Sequence, residues 1–260
     1  MAELKKEKKL WRACTNGDLE TVKKLADDPG VDINWAGEDR LDTPLHRACK
    51  CGHLVIVKVL LVQERIEVNK GNKGDASPFY IACQEGHEEV VSQLLADPRI
   101  DPNMPANDET TPLVMVCQRG RKDVVSLLLA DPRIDANKPK NNQSTPLWYA
   151  SQEGHLVVVQ HLLATGREIN TRRRSAFNNK TAAEQGRAMG ARTKDPTTLT
   201  KITKEEKPMA PSVPTSLMNT SGSQNTSVFF IDPAASQACE NTSLDTSFPW
   251  WSSTPTPSPS

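Results

Sequence analysis

The sequence carries no net charge and no long hydrophobic run. Its 260 residues hold 32 Lys and Arg against 32 Asp and Glu, so no overall field draws the chain to nucleic acid or to a membrane surface. No apolar run is long enough to span a bilayer, and the lysine-rich N-terminus does not resemble a signal peptide. We therefore expect an intracellular protein, in the cytoplasm or the nucleus, with no membrane insertion and no marked affinity for nucleic acid.

Motifs for catalysis and for cofactor binding are also missing. The glycines form neither a GxGxxG nor a GxxxxGK loop, and no Ser-His-Asp, Cys-His or paired-carboxylate constellation stands out. One segment, TPLHRACKCGH at residues 43–53, places two cysteines and two histidines close together, which raises the question of a metal site. Cys49 and Cys51 are one residue apart, so on a helix they point to different faces.

This segment is one copy of an internal repeat. TPLHRACKCGHLVIVKVLL begins at Thr43, SPFYIACQEGHEEVVSQLL at Ser77, TPLVMVCQRGRKDVVSLLL at Thr111 and TPLWYASQEGHLVVVQHLL at Thr145, with starts 34 residues apart. No aligned position keeps a set of metal ligands. We predict no metal, no cofactor, no small-molecule substrate and no catalysis, and we interpret the recurring cysteine as a small buried thiol in a reducing compartment.

Each copy of the repeat predicts two helices. The first Thr or Ser has the right chemistry to cap a helix, the proline after it suits the first turn, and a glycine ends the helix. A second helix follows, with apolar pairs one turn apart that form a wide stripe. Because one helix pair cannot bury both of its faces, neighbouring pairs must stack, which predicts a solenoid with a continuous core.

The pattern resembles the ankyrin repeat family. The family signature T-P-L-H-x-A is intact at residues 43–48, and the capped TPL, the glycine-histidine break and V-V-x-x-L-L recur in order. The resemblance implies an all-α, ankyrin-type helical solenoid. We predict an N-terminal capping repeat at 1–41, four full ankyrin-type repeats at 42–180, a truncated C-terminal cap at 181–190 and a disordered Ser/Thr/Pro-rich tail at 191–260.

The chain departs from the family pattern at the tips of the loops that join repeats. The family usually has a glycine two residues before the capping residue, and this chain has Leu41, Asp75, Glu109 and Gln143 at those positions. These residue types tolerate a positive φ poorly. We therefore expect the hairpin tips to be rearranged.

The resemblance implies that a protein partner binds to the hairpin tips and to the inner face of the first helices. The matching candidates on the first helices are Lys50, Tyr80, Gln84, Glu85, Gln118, Arg119, Trp148, Tyr149, Gln152 and Glu153. The matching candidates at the tips are Arg40, Lys73, Asn107, Asp108, Asn141 and Asn142. The alternative is that these side chains form only the soluble face of the solenoid.

Two adjacent aromatic residues, Trp148 and Tyr149, leave two alternatives open. Either they are exposed beside an incomplete C-terminal cap and anchor the partner, as Trp and Tyr often do, or they pack between the last two helix pairs. The short run of arginines at residues 172–174 is interpreted as a solvated loop.

Residues 208–260 differ in composition from the rest of the chain. They contain no Lys or Arg and are dominated by Ser, Thr, Pro and Asn, which is typical of a disordered segment. TPTPSPS at 254–260 resembles proline-directed kinase sites, and SVFFID at 227–232 and SFPWW at 247–251 resemble docking motifs. Two functions follow: a non-catalytic adaptor or scaffold that binds a protein partner through its concave face, or a recruiting subunit whose tail carries the signal.

Overall fold

The computed structural model describes the backbone of residues 2–190 and the side chains of residues 6–188. Within this range the chain forms eleven α-helices, a single 3-10 helix at Asn107–Glu109 and no strand. The α-helices are α1 Ala2–Asn16, α2 Leu19–Ala26, α3 Pro44–Lys50, α4 Leu54–Leu61, α5 Pro78–Glu85, α6 Glu88–Leu95, α7 Pro112–Arg119, α8 Lys122–Ala130, α9 Pro146–Glu153, α10 Leu156–Ala164 and α11 Ala182–Gly190. The all-helical prediction is confirmed.

The first helix of every repeat begins at the predicted cap. The side chains of Thr43, Ser77, Thr111 and Thr145 each accept a hydrogen bond from the backbone N–H three residues later. A proline occupies the first turn in all four helices, where its missing N–H costs nothing. These two local signals fix where α3, α5, α7 and α9 start.

The glycine after each first helix ends it in the left-handed conformation. Gly86, Gly120 and Gly154 have φ of 84°, 68° and 75° and cap α5, α7 and α9. Gly52 has φ 71° directly after Cys51, the cap of α3. Glycine adopts this conformation without the steric penalty that a Cβ atom brings.

The helices stack in two layers around one continuous core. The inner helices α1, α3, α5, α7, α9 and α11 pack in sequence, and the outer helices α2, α4, α6, α8 and α10 pack in sequence behind them. The outer helices contribute one fully buried leucine at the same position of each full repeat: Leu60, Leu94, Leu128 and Leu162. No pair closes a core by itself, which confirms the predicted solenoid.

The connectors between repeats are held by polar side chains as well as by the core. The Arg99 guanidinium donates to the carbonyl of Leu61 at 2.7 Å and pairs with Asp97 at 2.6 Å. This pairing lowers the pKa of the Asp97 carboxyl. Asn69 donates through Nδ2 to the Arg99 carbonyl at 2.6 Å and accepts from the Asp101 N–H at 3.0 Å. Equivalent bonds recur along the array, so every repeat is tied to the previous one.

The C-terminal helix of the described range covers the last full repeat. The Glu184 N–H donates to the Thr181 side chain at 3.2 Å and the Thr181 N–H donates back to Glu184 at 2.8 Å, a reciprocal cap. α11 packs on α9 and buries Ala182 and Ala183. A second helix for this pair would lie beyond the described residues, as does the predicted tail. The boundaries between caps and full repeats stay a prediction.

The hairpin tips contradict one expectation. Five tips are each closed by a backbone hydrogen bond and span residues 37–42, 72–76, 106–110, 140–144 and 175–180. The residues two before the caps keep a positive φ although none is glycine: Leu41 (55°), Asp75 (54°), Glu109 (59°) and Gln143 (62°). The expectation that these residues would avoid a positive φ and rearrange the tips is therefore wrong. The surrounding hydrogen bonds hold them in a conformation that they disfavour.

Candidate functional site

The sixteen predicted binding residues divide by exposure. The exposed ones are Arg40, Lys73, Asn107, Asp108, Arg119, Asn141 and Glu153, and the half-buried ones are Lys50, Gln84, Glu85, Gln118, Asn142 and Gln152. Tyr80, Trp148 and Tyr149 are buried. We call the surface formed by the inner helices and the hairpin tips the inner surface. On this inner surface, thirteen of the sixteen predicted residues therefore have side chains that solvent reaches.

Backbone hydrogen bonds hold neighbouring tips in line. The Lys73 N–H donates to the Arg40 carbonyl and the Asn107 N–H donates to the Gly74 carbonyl, both at 2.8 Å. An ion pair of 2.6 Å between Asp108 and Lys140 joins the third and fourth tips. The tips therefore form a connected row, and the side chain of Asp108 is already paired with Lys140 inside that row.

The inner helices bring together an apolar patch that the sequence reasoning did not identify. Tyr80 and Ile81 pack with Ala76 of the second tip, and half-buried Ala106 and Met115 pack against them. This cluster is separate from the main core. The sequence does carry a signal for this patch. Ile81 and Met115 are apolar at the repeat position where the first full repeat has Arg47. We call these residues the apolar patch.

The last inner helix buries its two aromatic residues. Trp148 is 2% exposed and Tyr149 is 6% exposed, and their rings meet edge to face with centroids 5.2 Å apart. The Tyr149 hydroxyl accepts a hydrogen bond from Asn142 at 3.1 Å, while the Trp148 indole nitrogen has no hydrogen-bond partner among the described residues. The alternative in which both rings are exposed is therefore wrong, because α11 covers α9.

Tyr80 is likewise inaccessible as the chain stands. It is 4% exposed, and burial raises the pKa of its hydroxyl. Its ring forms part of the buried base of the apolar patch.

The cysteines and histidines of the repeat have structural partners. Cys14, Cys49, Cys83 and Cys117 are buried, and burial raises the pKa of the Cys14 thiol to about 12 and that of the others further. The histidines that follow the helix-ending glycine bond to backbone carbonyls of the preceding repeat, as in the 2.9 Å contact between His87 and Lys50. Among the described residues, no group of three or more His, Cys, Asp or Glu side chains is placed to hold a metal ion.

The histidine of the TPLH motif is buried and neutral. His46 Nδ1 accepts from the Thr43 N–H at 3.1 Å and lies 2.8 Å from the Thr43 hydroxyl, so Nε2 carries the proton and donates to the Ala76 carbonyl at 2.9 Å. Burial lowers the pKa of its imidazole, against a smaller opposing effect of the Ala76 bond. This arrangement fastens α3 to the second tip and leaves no ring nitrogen for a ligand.

A second feature missed by the sequence reasoning lies at the N-terminal end of the inner surface. α1, α3, the first tip and the connector before it line an open pocket of about 240 Å³, with Trp11 and Trp35 among its walls. The sequence signal is Trp35, because the positions after the connector asparagines of the four full repeats carry Lys, Met, Lys and Thr. None of the helices in residues 2–190 is long and apolar enough to cross a membrane.

A comparison with protein-family models found a match. A family model described as ankyrin repeats (3 copies) matches residues 10–106 and 100–173. The matched range contains α2 to α10 and the first four hairpin tips. The search of curated proteins found no match.

Proposed function

Because the chain belongs to the ankyrin repeat family, we propose that it is a non-catalytic adaptor or scaffold that binds a protein partner through the inner surface. Ankyrin repeats are generally protein–protein interaction modules. Fold alone does not identify what is bound, so the proposal depends on the chemistry of this surface.

The apolar patch is the observation that carries the proposal. Met115 and Ala106 are half-buried, so they expose apolar atoms to solvent, and they pack against buried Tyr80 and Ile81. Gln84, Gln118 and Arg119 follow on the same inner helices and are at least partly exposed. An apolar centre within a polar rim is the usual anatomy of a protein interface.

The buried, unpaired thiols support a location in a reducing compartment. We infer that the protein works in the cytoplasm or the nucleus. A tail-driven recruiter remains the second candidate, and the kinase-like sites at residues 254–260 are the sequence feature that favours it.

Partner capture with paired variants tests the proposal. The inner-surface variant carries Gln84→Lys and Arg119→Glu, and its matched control carries Gln93→Lys and Lys122→Glu on the outer helices of the same two repeats. We expect the full-length protein and the control to capture the same partner, and the inner-surface variant to lose it while its far-ultraviolet circular dichroism is unchanged.

Two results would contradict the proposed binding surface. Equal capture by the inner-surface variant and the full-length protein would place recognition elsewhere. Loss of the partner on deletion of residues 208–260, with no effect of the inner-surface variant, would favour the tail-driven recruiter.

A further inference from the structure

The pocket at the N-terminal end of the inner surface has a rigid aromatic wall. The Trp11 indole nitrogen donates to the Asp42 carbonyl at 2.8 Å, and the Arg47 guanidinium lies 4.5 Å from the centroid of the Trp11 ring. Gly37 lies so close that an added Cβ would come within 3.2 Å of the Trp11 indole nitrogen. Trp11 is therefore fixed before any ligand arrives.

The charges around this wall fall into two groups. Arg47 already has partners within the protein, because it donates to the Thr15 hydroxyl at 3.1 Å and pairs with Asp42 at 3.6 Å. By contrast, Lys8, Arg12 and Arg40 line the pocket, are exposed, and form no ion pair within the part of the chain that the structure describes. These three cations are available to a ligand.

Two of the available cations lie on the same helix face as the indole. Lys8 and Arg12 are one turn apart on α1, and Trp11 is three residues after Lys8. Side chains at these spacings are neighbours with Cβ atoms about 5–6 Å apart. The exposed acids of the pocket, Glu38 and Asp39, lie on the first tip and not on α1. The α1 side of the pocket therefore pairs an aromatic surface with positive charge.

We infer that this pocket binds an extended peptide segment of the partner protein, in which an aromatic or large aliphatic residue is followed two positions later by Asp or Glu. In an extended chain, residues i and i+2 lie on one face about 7 Å apart. That spacing lets the apolar side chain rest on Trp11 and Trp35 while the carboxylate reaches Lys8 and Arg12. Charge-assisted hydrogen bonds to the carboxylate fix the direction of the peptide.

The size and place of the pocket favour a peptide side chain over a free small molecule. A volume of about 240 Å³ is below the roughly 300–1,000 Å³ of ordinary small-molecule sites. Arg40 belongs both to the pocket and to the row of tips, so a bound segment continues onto the inner surface. The inference rests on the proposed function, because it names what the partner presents at one end of that surface.

Three short blocked peptides test this inference on the full chain. The first is acetyl-Gly-Phe-Gly-Asp-Gly-amide, the second has Lys in place of Asp, and the third has Ala in place of Phe. Binding is followed by the indole ¹H–¹⁵N signals of the five tryptophans. We expect the first peptide to shift Trp11 and Trp35 but not Trp148, and to bind at least about ten-fold more tightly than the other two.

Two charge-reversal variants test whether the exposed cations of the pocket hold the peptide. Arg12→Glu reverses one exposed cation and should weaken the first peptide about ten-fold or more. Lys122→Glu is the matched control, because it reverses an exposed cation on outer helix α8 that does not line the pocket, and it should leave the affinity unchanged. Unchanged helicity in both variants confirms that they fold.

Three outcomes would overturn the inference. They are equal or tighter binding of the lysine peptide, shifts confined to other tryptophans, and no saturable shift at about 5 mM peptide. If any of these occurs while partner capture still depends on Gln84 and Arg119, the pocket inference fails and the proposed function stands. If partner capture does not depend on the inner surface while the first peptide still shifts Trp11, the proposed function fails and the peptide site at the pocket stands.

Discussion

The positive φ values at the hairpin tips predict that glycine stabilises the array. Glu109 has φ 59°, its side chain is exposed, and that side chain makes no hydrogen bond or ion pair within the described part of the chain. A residue with a Cβ atom pays about 1–2 kcal/mol in the left-handed conformation. Glycine avoids this cost, but it also gives the unfolded chain more conformational freedom, which offsets about 0.5–1 kcal/mol of the gain in stability. We therefore expect Glu109→Gly to raise the free energy of unfolding by about 0.5–1 kcal/mol.

Equilibrium unfolding in urea, followed by far-ultraviolet circular dichroism, measures this gain. In a folded unit of this size, 1 kcal/mol corresponds to about 2–4 °C in the midpoint of thermal unfolding, so the thermal shift should be about 1–4 °C. Asn179, at φ 54° in the fifth tip, is the matched control. Asparagine tolerates the left-handed conformation, so Asn179→Gly should change stability little.

A third variant separates backbone strain from the loss of a charged side chain. Glu109→Ala removes the carboxylate and keeps the Cβ atom, so it should leave the strain in place and gain nothing. The reasoning would be refuted if Glu109→Ala stabilised the protein as much as Glu109→Gly, or if Glu109→Gly destabilised it.

Three further predictions concern the core, the thiols and the buried histidine. Leu128→Ala, at a fully buried position of α8, should cost about 2–5 kcal/mol in urea unfolding, whereas Val62→Ala at an exposed position should cost less than about 0.5 kcal/mol. In the native protein, iodoacetamide should label half-buried Cys51 before the four buried cysteines, whose pKa is raised, as peptide mass spectrometry would show; equal labelling would contradict their burial. Burial lowers the pKa of His46 from 6.5, so its contribution to stability is complete above pH 6.5 and is lost as the pH falls below it. His46→Val, which copies Val114 of a later repeat, should therefore show a smaller loss of stability between about pH 7.5 and 5.5 in urea titrations.

The parts of the fold that depend on short-range signals were predictable from the sequence. Thr43 and its equivalents cap their helices through hydrogen bonds that span three residues, and the glycine that follows needs only its own φ. The stacking followed from the stripe on the second helices, which a single pair has no means of burying. For these features the residues that form the structure are neighbours in the chain.

The features that the sequence left open, missed or predicted wrongly depend on residues far apart in the chain. Leu41 keeps its disfavoured φ because bonds within the tip and to the next tip hold the backbone, which overrides the local preference of leucine. Trp148 is buried because α11 folds over it, about 35 residues downstream. The pocket at Trp11 requires a connector, a tip and two helices to meet. No single segment of the sequence contains all the residues that form these features.

Two of the predicted binding residues already have partners within the array. Asp108 is paired with Lys140 and Asn142 donates to Tyr149, so both serve the array itself. Exposed charges such as Arg119 at the rim of an interface contribute little energy individually but determine orientation and the rate of association. We therefore expect most of the affinity for the partner to come from the contact of Met115 and its neighbours in the apolar patch. Met115→Ala should weaken an identified partner more than Asn141→Ala does, and a larger effect of Asn141→Ala would mean that the tips, and not the patch, hold the partner.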